Sequence, residues 1–160
     1  MVYLGILLLV IIVGVLIVLP IVRNRLKTRN DIDAAHRTVH EDRGRYAFLV
    51  DSQFKVKDTN FYELIPELND GQPEVLGNVL HCKTGCDSGL CGTGIACQTC
   101  PVRMILNNAF RLRRNFEGVE ASMRLYDKRH EVKEVDVTVD GQLVYLGHKP
   151  HFIVSVKSVY

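Results

Sequence analysis

Cys82, Cys86, Cys91, Cys97 and Cys100 are the only cysteines of the 160-residue chain, and they crowd into one short stretch. Three, four, five and two residues separate them, and Gly85, Gly89, Gly92 and Gly94 lie between. Loops with that much glycine can bend the sulfurs toward one point. A structural core would place Leu, Ile and Val here instead of a run rich in Gly and Thr. The chemistry this pattern points to is that of clustered thiols: metal ligation, or reversible oxidation.

Something must hold such loops, and something decides which compartment they face. Residues 2–22 carry no charge and are almost all Leu, Ile and Val. At about 1.5 Å per residue such a helix spans a hydrocarbon core of about 30 Å. A cleaved signal peptide would begin basic, have a shorter apolar run and end at a small-residue cleavage site, and none of these is present. Residues 1–22 are therefore expected to form a transmembrane helix. Arg23, Arg25, Lys27 and Arg29 follow immediately, and the positive-inside bias places the C-terminal part in the cytoplasm. The expectation is a single-pass protein of the inner (cytoplasmic) membrane. In that reducing compartment disulfides are rare, which moves the cysteines further toward ligation or redox chemistry. The formal net charge of +2 mostly reflects the juxtamembrane cluster. With no basic and aromatic face further on, nucleic acid is not an expected partner.

Residues 23–45 read as a basic juxtamembrane segment and a connector helix, with Asn30 or Asp31 as cap and Gly44 as its end. Ile32, Val39 and Tyr46 recur at seven-residue spacing, with Ala35 on the same face. Such a stripe serves equally as one strand of a parallel dimer or as a face lying on the chain's own domain.

From Tyr46 the period changes. Residues 46–50 are an apolar run, residues 51–53 a turn, and residues 54–57 alternate apolar and polar, so a hairpin is predicted. Residues 101–114 form the convincing later helix: Pro101 suits its first turn, and Val102, Ile105, Leu106, Ala109 and Phe110 share a face. Residues 120–126, 131–139 and 152–159 read as three antiparallel strands, separated at 127–129, at Asp140-Gly141 and at 147–150.

Asp51 and Asn60, with Phe54 and Val56 between them and Phe61, Tyr62 and Leu64 opening a short helix, resemble the start of a PAS domain. The order of two strands, helices and three strands over residues 46–160 agrees. The resemblance implies an α+β fold, a PAS-like five-stranded antiparallel sheet with flanking helices and a cysteine-rich insert at 77–103. That insert, from Gly77-Asn78 through Cys82, Cys91-Gly92 and Cys97-Gln98-Thr99-Cys100 into Val102-Arg103, is similar to one found in a subset of bacterial PAS domains, often in sensor kinases. The resemblance carries over four ligand positions, Cys82, Cys91, Cys97 and Cys100. Cys86 lies outside its pattern and is a substitute ligand at most, as is His81.

What those four hold is a question for their chemistry. Zn²⁺ prefers tetrahedral sulfur ligation, and the irons of an iron–sulfur cluster each accept a cysteine. Only one Cys-x-x-Cys knuckle is present, whereas closed zinc sites usually pair two. Cys100-Pro101 is similar to the Cys-Pro that ends bacterial ferredoxin runs, and a redox-active centre suits a sensor where zinc is redox-silent. A cluster is favoured, zinc is second, and free or reversibly oxidised thiols third. Cys97 attacking and Cys100 resolving would make a thiol-disulfide oxidoreductase, but no βαβ unit precedes them. His36, His40, His130, His148 and His151 are scattered and read as surface residues.

Two classes remain. One is a membrane-tethered signalling module that reports redox or oxygen state to a separate protein such as a kinase or regulator, with homodimerisation open. The other is an adaptor in which zinc staples the insert. Neither is an enzyme. The full chain should sediment with membranes and resist alkaline extraction, while a chain lacking residues 1–22 should remain in the supernatant. Release of the full chain by alkali would remove the transmembrane assignment.

Overall fold

The computed structural model describes residues 2–41, 44–71 and 74–158, with side chains at 12–41, 44–71 and 74–157. Helix α1 (Val2–Glu41) is followed by strands β1 (Tyr46–Val50) and β2 (Val56–Thr59) and the short helices α2 (Phe61–Leu64), α3 (Leu76–Val79) and α4 (Lys83–Asp87). Helix α5 (Pro101–Leu112) then leads into β3 (Phe116–Tyr126), β4 (Val132–Leu146) and β5 (Lys149–Ser158). The five strands form one antiparallel sheet in the order β2-β1-β5-β4-β3. This is the expected α+β, PAS-like arrangement of two strands, helices and three strands.

The central strands explain the layering. In β1, Phe48 and Val50 point to one face and Ala47 and Leu49 to the other, and all four are buried. On β5, Phe152, Val154 and Val156 join the first face and Ile153 the second. A strand covered on both sides reads as a continuous apolar run instead of an alternating one. The larger core lies between the first face and α3 and α5, where Leu76, Val79, Val102, Leu106 and Ala109 meet Phe48 and Phe152. The second face is covered by Ala35 and Val39 of α1.

That packing decides between the two uses of the α1 stripe. Val39 is fully buried against the chain's own sheet, while Ile32 is 46% exposed and Tyr46 belongs to β1. The heptad is therefore not one seam. The connector is also not a separate helix: α1 runs unbroken from Val2 to Glu41.

The transmembrane expectation for residues 1–22 falls partly outside the described side chains. Among the described residues no helix is long and apolar enough to cross a membrane.

Strand boundaries also differ from expectation: β3 begins at Phe116, not Glu120, and β5 at Lys149, not Phe152. The second strand begins at Val56, not Phe54, because Phe54 takes a left-handed φ of 62° in the turn and drops into the core. Asp51 organises that turn, its carboxylate accepting from the amides of Gln53 (2.9 Å) and Lys55 (3.0 Å) and from the Lys57 ammonium. Burial alone would raise the Asp51 carboxyl, but these donors outweigh it and hold it below the ordinary value. Asp140-Gly141 is not a turn, and β4 passes straight through it. The Asp140 carboxylate is occupied by Arg45 and by the Gly118 amide, each at 2.6 Å. Gly141 lies under the Phe116 ring, where any Cβ would overlap the ring.

Val39→Ala should cost about 2 kcal/mol in urea unfolding, from two lost methyls in a closed site. Ile32→Ala should change stability by less than about 0.5 kcal/mol. Equal effects would mean that α1 does not pack on the sheet as described.

Candidate functional site

The cysteine stretch folds into short turns strapped across the first face of the sheet. Cys82 precedes α4 and its amide donates to the Gly77 carbonyl at 2.7 Å, while a backbone bridge joins Cys82 to Leu125 of β3. Cys97 is buried in a 3₁₀ turn, Ile95–Thr99, and its sulfur accepts from the Gly92 amide at 3.3 Å. Cys100 is the N-cap residue of α5, with Pro101 as first helical residue. Its extended backbone there turns the chain into the helix, and the missing N–H of Pro101 costs no hydrogen bond at that position.

Cys91 is held by a residue to which sequence reasoning gave no role. Asn78 is fully buried. Its Oδ1 accepts from the Cys91 amide at 2.6 Å, and its Nδ2 donates to the Gly89 carbonyl at 3.3 Å. One amide side chain thus satisfies both a donor and an acceptor of a loop that has no strand partner. The signal in the sequence was an Asn placed between apolar residues, Gly77-Asn78-Val79-Leu80, where burial demands a partner. Gly77 is equally specific, because a Cβ there would overlap the Cys91 sulfur. Gly92, at φ 103°, sits beneath the Arg103 guanidinium where a side chain would collide.

Cys82, Cys91, Cys97 and Cys100 all line one cavity of about 240 Å³, walled by Phe54, Leu76 and Leu80, by Arg103 and Leu106 of α5, and by Met123 of β3. These are the four positions that the PAS-insert resemblance carried over. Cys86 is not among them. It lines a separate surface recess with Asp70, His81, Asp87, Tyr126 and His130. Burial, then the charges of Cys82, Asp70 and Asp87, push the Cys86 thiol up. His81, the other substitute ligand, is buried and turned away from the cavity, its Nε2 donating to the Leu68 carbonyl at 2.9 Å.

The four sulfurs share a cavity without closing on one point. Among the described residues no three cysteine sulfurs come within 4.8 Å of one another. A zinc ion, at about 2.3 Å from each thiolate, needs them closer than that. A multi-iron centre distributes its cysteines over several irons and does not need them to converge on one atom.

Burial dominates the electrostatics of this cavity. Burial, followed by the neighbouring Cys97, raises the Cys91 thiol to about 11; the Gly77 amide opposes this, Cys82 adds less to it, and Arg103 opposes it least. A thiol in that state is a poor nucleophile at neutral pH. Arg103, stacked on Phe54 at 4.9 Å, supplies a positive charge where a polythiolate centre would carry a negative one.

No family model matches the chain, and no curated protein matches it. Among solved structures, it is similar to the PAS domain of a Desulfitobacterium hafniense protein, with a TM-score of 0.43 and 10% identity over 74% of this chain and 96% of that one. It is also similar to the PAS domain of an HTR-like protein from Haloarcula marismortui, at a TM-score of 0.40 and 11% identity over 86% and 99% of the two chains. A PAS domain from a two-component sensor histidine kinase gives 0.41 and 11% over 82% and 98%. All three TM-scores lie below 0.5.

Asn78→Ala leaves the Cys91 amide and the Gly89 carbonyl without their buried partner, and should cost about 1–3 kcal/mol in urea unfolding. In the metal-free chain it should also speed alkylation of Cys91, followed by mass mapping. An unchanged midpoint and unchanged labelling would show that Asn78 does not hold the loop.

Proposed function

We propose that the chain is a PAS-type sensor module whose cysteine cavity holds an iron–sulfur cluster, with zinc as second choice, and that it reports redox or oxygen state to a separate signalling protein. The observation that carries this reading is the sorting of the thiols: Cys82, Cys91, Cys97 and Cys100 line one cavity and Cys86 lines another. That no three of the described cysteine sulfurs lie within 4.8 Å of one another favours a cluster over a single ion. A bound cluster would supply one-electron chemistry, and the four thiolates would hold it. Around it, Asn78 and Gly77 position Cys91, Arg103 offsets charge, and Phe54, Leu76 and Leu80 keep water from the sulfurs.

Attachment to the membrane through residues 2–22, with the domain on the cytoplasmic side, belongs to the same proposal and rests on the apolar run and the basic residues after it. Against the thiol-disulfide alternative, short helical turns and no βαβ unit precede the Cys97–Cys100 pair among the described elements.

The test is to purify the full chain in detergent without oxygen, record its visible spectrum and quantify iron, sulfide and zinc per chain. A cluster gives a brown protein with iron and acid-labile sulfide, and a zinc tetrathiolate is colourless. Cys82→Ser, Cys91→Ser, Cys97→Ser and Cys100→Ser should each remove most of the metal, and Cys86→Ser should leave it. Metal-free protein with five freely reactive thiols would end the proposal.

A further inference from the structure

A second group of ligand atoms lies on the face of the sheet that α1 covers. His36 and His40 are four residues apart on α1, a spacing that puts side chains next to one another on a helix, and their ring centroids are 4.2 Å apart. Asp58 of β2 reaches both. Its Oδ2 is 2.5 Å from His36 Nδ1, and its Oδ1 is 3.1 Å from His40 Nε2. One donor atom from each of the three residues lies within 4.8 Å of the other two. The other nitrogen of His40, Nδ1, is 2.9 Å from a carboxylate oxygen of Glu63 on α2.

The position of Asp58 depends on an irregularity of the sheet. The β1–β2 register shifts between Leu49 and Val50, so that Asp58 lies opposite Leu49 while Val56 lies opposite Val50. Residues directly opposite share a face. Asp58 therefore sits on the α1 side with Leu49, and Val56 on the core side with Val50. Without the shift, Asp58 and Val56 would share a face, since side chains two residues apart point the same way.

We propose that His36, His40 and Asp58 bind a divalent transition-metal cation, with Glu63 positioning His40. Two imidazoles and one carboxylate are a donor set for zinc, nickel or copper, not for magnesium or calcium, which favour all-oxygen sites. The division of His40 is what such a site requires: Nε2 is directed to the ligand cluster, and Nδ1 donates to a carboxylate that fixes the ring. As the structure stands, Asp58 joins the two rings by hydrogen bonds. One divalent ion between them satisfies both rings and the carboxylate. Three protein donors leave coordination positions for water or an exchangeable ligand. The His36 side chain is 59% exposed, so an ion has a path in. Because the donors come from α1 and β2, the cation would fasten the helix to the sheet edge, independently of the cysteine cavity.

The experiment is an anaerobic Co²⁺ titration of the full chain in detergent, read in the visible and near ultraviolet and by thermal melting. Thiolate-to-cobalt charge transfer reports the cysteines, and an imidazole and carboxylate site gives only weak visible bands, so the two sites are scored separately. Wild type should take up one equivalent of Co²⁺ without charge transfer, and that equivalent should raise the melting temperature. His36→Gln and His40→Gln should each weaken its binding by roughly 100-fold or more, and Glu63→Gln by about 10-fold, with the charge-transfer band left as in wild type. His36 is exposed, so its variant decides the matter if His40→Gln unfolds. Absence of such an equivalent in wild type, or its persistence in the His36→Gln/His40→Gln double variant, would overturn the proposal.

Discussion

The burial of β1 and β5 on both faces is the constraint from which the rest of the architecture follows. Phe48, Val50, Phe152 and Val154 need cover on one side, and Ala47, Leu49 and Ile153 need it on the other. Neither need is met by the sheet itself. The first face recruits α3, α5 and the cysteine turns, and the second recruits α1. The candidate site is thus part of the lid over the larger core, with Leu80 and Val102 packed in that core two residues before Cys82 and two after Cys100. A change at these thiols would be felt by the same packing that covers the sheet, since Cys82 and Cys100 pack against that core.

How much of this was legible depends on whether a signal was local. The cysteine spacing, the start of α5 at Cys100-Pro101 and the first strand at residues 46–50 were all readable, because each is set by residues adjacent in sequence. The turn expected at Asp140-Gly141 did not form, because Arg45 and Gly118 claim the Asp140 carboxylate and Phe116 covers Gly141. These partners come from distant or non-adjacent positions, and turn propensity has no knowledge of them. Val39 looked equally suited to a dimer seam, since an apolar stripe does not say which surface will cover it.

Histidines and asparagines show the same division within the sites. His36 and His40 read as scattered surface residues when judged singly, although their four-residue spacing on a helix was visible. What could not be seen was the register shift in β1–β2 that turns Asp58 toward them. The residues next to Asn78 in sequence give it no task, because its partners lie in a loop more than ten residues downstream.

Helix α1 is 40 residues long, about 60 Å at about 1.5 Å per residue, and among the described residues those buried against the sheet, Ala35 and Val39, lie near its C-terminal end. A rod clamped at one end is a lever. A tilt of about 5° at the clamp would sweep the far end through roughly 5 Å over that length, more than the width of a methyl group. Pro20, which lacks the N–H that would bond the preceding turn, is the point along the rod where such a deflection would be absorbed or passed on.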